Sequence, residues 1–120
     1  MRIISDIKEA NELLSLYIGA TLQVFMFSTS LLRMALKLTV PGNPEAVFIV
    51  GISCTSIEGQ FALKNSNVSI VTEINKEFGE TITSIIDKSG NFKLITSGGF
   101  AIAQGLEEEF RSSFDSFIKE

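Results

Sequence analysis

Apolar residues near the start of the chain recur at helical spacing. Ile7, Ala10, Leu13, Leu14, Tyr17 and Ile18 share one face, and Asp6 three residues before Glu9 makes a capping-box-like start, with Ser5 as an alternative cap. Gly19 stands where such a helix stops, so the spacing predicts a helix over 6–18, half-buried along its apolar face.

From Ala20 the period falls to two. Leu22, Val24 and Met26 alternate with Gln23, Phe25 and Phe27, apolar on both sides, as in a strand covered on both faces. After a turn at Ser28-Thr29-Ser30, the residues Leu32, Met34, Leu36, Leu38 and Val40 alternate with Leu31, Arg33, Ala35, Lys37 and Thr39, which predicts a strand with one face buried and one largely wet. Pro41-Gly42-Asn43-Pro44 turns the chain, because proline fixes φ and removes a ladder donor. Ala46 to Cys54 is a continuous apolar run that reads as the innermost strand, with Gly51 marking a bulge or a close backbone approach. Further strands are expected at Val68–Ile74, Thr81–Asp87, Phe92–Thr96 and Phe100–Gln104. Asp87-Lys88-Ser89-Gly90-Asn91 has hairpin chemistry, and Gly98-Gly99 separates the last two strands.

Helical spacing returns at the end. Leu106, Phe110, Phe114, Phe117 and Ile118 share a face opposite Glu107, Glu108, Arg111, Ser112, Asp115 and Lys119, with Glu107–Arg111 and Asp115–Lys119 as i,i+4 pairs. A helix, a run of strands joined by short turns, and a second helix together predict an α+β fold. Its expected form is a strongly twisted antiparallel sheet of about six or seven strands, barrel-like or folded as a sandwich, with an N-terminal and a C-terminal amphipathic helix packed on it. No repeat, low-complexity tract or linker divides the chain, so residues 1–120 are expected to form one α+β domain.

Composition narrows the chemistry. The 120 residues include no histidine, no tryptophan, one cysteine (Cys54) and one tyrosine (Tyr17), against ten phenylalanines. Without histidine the commonest general base and the commonest transition-metal ligand are both missing, so no metal and no cofactor is expected. No EF-hand loop, phosphate loop or dinucleotide-binding glycine pattern occurs. The net charge of −4 argues against nucleic acid, whose phosphates call for lysine and arginine. Leu13 to Leu32 carries no charge and has the length of a membrane span, but Gly19, Gln23 and the Ser28–Ser30 cluster interrupt it. Asp6, Glu9 and Glu12 stand where a secretory signal has basic residues, so the expected location is cytoplasmic and the sequon Asn67-Val68-Ser69 carries no weight.

Among reactive groups only carboxylates are plentiful. Glu107-Glu108-Glu109 reads as the solvated start of a helix. Glu58 and Asp87 are the acids expected to be partly buried, and either one, with a raised pKa, has the means to act as a lone base; Asp87 also suits an Asx-type turn and Glu58 a surface position. Cys54, among apolar neighbours and with no histidine to activate it, reads as a small buried hydrophobe.

Mean hydropathy of +0.31 with only 20% charged residues is apolar for a chain of this size, which points to a surface covered by a partner. The leading expectation is a non-enzymatic protein–protein interaction, accessory or inhibitor module, partnered by another protein or by itself as a homo-oligomer, with Phe110, Phe114 and Phe117 as interface anchors. The alternative is a carrier or sensor of a small apolar ligand held in a pocket lined by phenylalanine and by Met26 or Met34. An enzyme using a lone buried carboxylate ranks third.

Overall fold

Asp6 begins the first helix by accepting a hydrogen bond from Glu9 N–H at 2.9 Å, the N-cap geometry its side chain favours. The computed structural model describes residues 2–74 and 77–110. The helix α1 runs Ile7–Ser15 and stops three residues short of the expected end, at a turn closed by Gly19 with φ of 91°. Its buried residues are Ala10, Leu13 and Leu14.

The strands are β1 (Arg2–Ile4), β2 (Thr21–Ser28), β3 (Arg33–Thr39), β4 (Ala46–Gly51), β5 (Cys54–Gly59), β6 (Ala62–Leu63), β7 (Val68–Ile74), β8 (Thr81–Asp87), β9 (Phe92–Thr96) and β10 (Phe100–Gly105). All pair antiparallel, in a six-stranded sheet of order β1-β10-β4-β3-β2-β6 and a four-stranded sheet of order β5-β9-β8-β7. The α+β class and the antiparallel pairing therefore hold. All seven expected strands are present, and β1, β5 and β6 add to them.

The apolar run over 46–54 is not one strand. It breaks after Gly51, where the chain leaves the six-stranded sheet through Ser53, a residue with φ of 55°, and enters the other sheet at Cys54. A Cβ on Gly51 would sit 3.0 Å from the side chains of Cys54, Leu94 and Thr96, so glycine is needed where the corner turns. The return crossing, from β9 to β10, lies against it. Gly98 N–H bonds Ile52 O, Ser97 N–H bonds Ser53 O and Ile52 N–H bonds Gly99 O.

The main core takes Leu22, Leu36, Leu38, Val47, Ile49 and Ile102 from one sheet, Val68, Ile70, Ile85 and Leu94 from the other, and Leu13 and Leu14 from α1. A second cluster covers the opposite face of the six-stranded sheet: Ala35, Phe48, Val50 and Ala103 pack with Phe110, and Phe25 and Met26 lean on them. Phe48 and Phe110 stack with centroids 4.1 Å apart, and Phe25 meets both rings at 5.3 and 5.8 Å.

The face of β3 expected to be wet is thus covered. Ala35 is fully buried, and Lys37 lies over the Phe25 ring and pairs with Glu107 at 2.7 Å. The acidic run is accordingly more than a solvated face: Glu107 is tied to the sheet, Glu109 accepts from Leu106 N–H at 3.0 Å, and Glu108 stays exposed. Residues 107–110 form a helical turn; the remainder of the expected C-terminal helix lies outside the described residues.

Candidate functional site: an apolar groove beside an open strand edge

The site begins with one irregular residue. β2 and β3 pair in register from Thr21↔Thr39 to Val24↔Leu36, then resume at Met26↔Ala35, leaving Phe25 as the extra residue of a β-bulge. Side chains alternate faces along a strand, so one inserted residue reverses everything after it. Val24 packs on the inner core, Phe25 and Met26 both turn to the outer cluster, and Phe27 returns to the inner side opposite Met34. Simple alternation places Met26 with Val24 and hides this reversal.

A second bulge acts in the same way on the facing sheet. β5 pairs Cys54↔Thr96 and then Ser56↔Ile95, so Thr55 is the extra residue and Ile57 comes opposite Leu94. Phe27 with Met34 and Ile57 with Leu94 are two cross-strand pairs, one from each sheet, and they line a groove of about 330 Å³ together with Leu32 and Cys54. At one end of the groove Cys54 N–H bonds Leu32 O at 2.7 Å; further along, beyond Gly59, Val24 N–H bonds Phe61 O at 2.9 Å.

Two features set this groove apart from ordinary surface. Leu32 and Ser53, at its closed end, are both non-glycine residues in the left-handed region, with φ of 51° and 55°, a conformation that costs an L-residue about 1 kcal/mol or more. Its walls also carry exposed apolar side chains: Phe27 is 47% exposed, Leu32 48% and Ile57 40%, with Leu31 and the 79% exposed Phe61 on adjoining chain. Cys54 lines the groove as well, and burial pushes its thiol above the ordinary value of 9.0.

The edge of β5 is open as well. Every residue from Thr55 to Ala62 is exposed, and among the described residues β5 forms a ladder with β9 alone, its outer edge meeting Leu32 O at Cys54. The other sheet edges are short or partly covered: β1 has three residues and β6 two, too short to template much pairing, and β7 is covered by α1 at Ile70, while its last residues Thr72–Ile74 are exposed. The cover on β7 is specific: Asn11 Nδ2 donates to Ile70 O at 2.9 Å, and Asn11 Oδ1 accepts from Ile70 N–H at 2.8 Å.

The two acids expected to be partly buried separate. Asp87 is buried, and its oxygens accept from Asn67 N–H at 2.8 Å and Asn91 N–H at 3.3 Å, while its carbonyl takes Gly90 N–H to close the β8–β9 turn. It is an Asx-type turn residue. Glu58 is exposed, not buried, because it stands on the edge strand, and its neighbour in register is Lys93. Among the described residues no group of three or more acids and cysteines is placed to hold a metal ion, and no helix is long and apolar enough to cross a membrane. Of the phenylalanines expected as interface anchors, Phe110 is fully buried against Phe48 within the chain, and Phe114 and Phe117 lie outside the described residues. The exposed phenylalanines at the groove, Phe27 and Phe61, were hidden in the sequence, one behind a bulge and the other in a loop with no periodicity.

A further hollow of about 280 Å³ lies beside β7, lined by Asn11, Ser15, Asn67, Ser69 and Lys88 among others. Ser69 Oγ is buried there with no hydrogen-bond partner among the described residues. Comparison with protein-family models, with curated proteins and with solved structures finds no match to the chain.

Proposed function

We propose that this protein is a non-enzymatic protein-binding module that receives an extended polypeptide segment along β5, with apolar side chains of that segment entering the groove. The observation that carries this reading is the contrast between edges: Asn11 occupies the backbone groups of Ile70 on β7, while β5 is twice or more the length of β1 and β6, pairs on one side only, and borders an apolar groove. An added strand gains main-chain hydrogen bonds from such an edge and side-chain specificity from the pockets beside it. Exposed aromatic and aliphatic side chains grouped at one place are the usual anchors of protein contact. Asp87 is taken up by the β8–β9 turn and Glu58 lies exposed on the edge strand, which supports the non-enzymatic reading over one built on a lone buried carboxylate.

A second reading is favoured by one observation. The groove volume of about 330 Å³ is at the small end of the range for ligand pockets, and its lining of Phe27, Met34, Cys54 and Leu94 suits a small apolar ligand. Chemical-shift mapping distinguishes the two. Short peptides with alternating apolar residues are expected to shift the amides of Thr55–Phe61 and Phe27–Leu32, with the largest changes along the β5 backbone. Shifts from a long-chain fatty acid alone, with no response of β5 to any peptide, would replace the first reading by the second.

A further inference from the structure

The first part of the β7 edge is saturated except at one residue. Asn11 takes the N–H and C=O of Ile70, which therefore point away from β8, and antiparallel alternation sends those of Val68 and Ser66 the same way. Ser66 is served: its N–H bonds Ala20 O at 3.0 Å and its C=O takes Gly19 N–H at 2.7 Å. Val68, between the two, has no partner for either group among the described residues, and it lines the hollow of about 280 Å³ beside the strand.

Three side chains at the same hollow are also unpartnered among the described residues. Asn67 and Ser69 share one face of the strand, and Lys88 stands across from Asn67, whose C=O takes Lys88 N–H at 2.8 Å. Ser69 is only 8% exposed, yet its hydroxyl bonds nothing, and neither the Asn67 amide nor the Lys88 ammonium is engaged. Lys88 is the one charge on the lining, which carries no acid. The neighbouring Asp87 pairs with Val68 on the opposite face, and its carboxylate is taken by the N–H groups of Asn67 and Asn91.

We infer that this hollow binds a small N-acyl amino acid, held against Val68 as a strand one residue long. The gap admits one residue because Ser66 and Ile70, about 13 Å apart on an extended chain, are both occupied. Antiparallel pairing has the ligand N–H donate to Val68 O and a carboxylate oxygen accept from Val68 N–H. That direction brings the carboxylate to the end of the gap where Asn67 and Lys88 stand. The acyl group comes to Ser69, whose hydroxyl gains an acceptor, and meets Asn11, so a polypeptide has no path further along the edge. Ile18, 60% exposed, supplies an apolar wall for the ligand side chain.

Titration of the isotope-labelled protein with N-acetyl-leucine to about 20 mM, followed by NMR, tests this. The backbone amides of Val68, Ser69 and Lys88 and the side-chain amide of Asn67 are expected to shift and to saturate with a Kd of about 1 mM. N-acetyl-leucinamide, which lacks the charge, is expected to bind severalfold more weakly, and a hexapeptide ending in leucine is expected to leave these amides unmoved. Ser69→Ala should weaken binding severalfold with the urea midpoint level or higher, because the hydroxyl has no bond to lose in the unliganded protein. Lys88→Met should weaken binding severalfold and remove most of its salt dependence. The absence of a saturable shift at Val68 and Ser69 overturns the inference, as do shifts confined to Thr55–Phe61, binding indifferent to both substitutions, or equal binding of the hexapeptide. The β5 groove shares no lining residue with this hollow, so the two readings fail independently.

Discussion

Asn11 and Ile70, 59 residues apart in sequence, are joined by a pair of hydrogen bonds in which a side-chain amide takes the place of a neighbouring strand. The amide offers one donor and one acceptor at the spacing of a peptide group, so the edge of β7 meets a partner that cannot be extended further. With the buried Ala10, Leu13 and Leu14, this side chain holds α1 on the four-stranded sheet and closes the β7 edge at Ile70.

Asn11→Ala removes both bonds and leaves the Ile70 N–H and C=O without partners in a partly buried setting. Unfolding by urea is expected to show a loss of about 1–3 kcal/mol. Aggregation at high concentration should rise with it, since a second strand edge is now bare.

Leu32→Gly separates stability from binding. Glycine accepts φ of 51° without strain, so the denaturation midpoint is expected to stay level or rise, by at most about 1 kcal/mol. Removal of the leucine side chain strips one wall of the groove, and peptide binding should weaken severalfold. A Leu32→Gly protein that unfolds earlier, or binds as well as before, contradicts the role given to this residue.

Lys37 holds the helical turn 107–110 against the six-stranded sheet through Glu107 and the Phe25 ring. The pair is partly exposed, at 18% and 43%, so a double-mutant cycle of Lys37→Met with Glu107→Gln should give a coupling of about 0.5–1 kcal/mol. The coupling should shrink in high salt.

Cys54 gives the protein a pH dependence above neutrality. Burial raises its folded pKa, so the folded state keeps a proton that the unfolded chain has already released. Its contribution is full below the ordinary thiol value of 9.0 and is lost as pH climbs from there through the folded value. Unfolding free energies measured from about pH 8 to about pH 10.5 should fall more steeply for the native sequence than for Cys54→Ala. Equal slopes would show that the thiol is as exposed as in the unfolded chain.

Much of the fold was legible because period-two alternation survives wherever a strand is regular, as from Leu32 to Val40. The groove was not legible, because bulges at Phe25 and Thr55 decide which side chains reach it, and a bulge is a property of pairing with a neighbour rather than of one strand. The corner after Gly51 was visible only as a glycine in an apolar run. Its meaning depends on the return crossing at Gly98, 47 residues later, where a Cβ would meet Ile52 at 2.8 Å. Met34 lines the groove on the side that its undisturbed alternation with Leu36 and Leu38 assigns it, while the bulge sends Met26 to the outer cluster. Phe110, expected as an interface anchor, is buried because Phe25, Phe48 and Ala103 on the sheet's outer face provide the surface that covers it.

The position of β10 between β1 and β4 governs when the molecule becomes whole. Synthesis delivers β1 well ahead of β10, so the earlier strand waits without that neighbour while the chain from Ile4 to Phe100 is made. During that interval β4, one of the most apolar strands, presents a naked flank, and a nascent chain halted before Phe100 is a candidate for chaperones rather than a miniature of the finished protein.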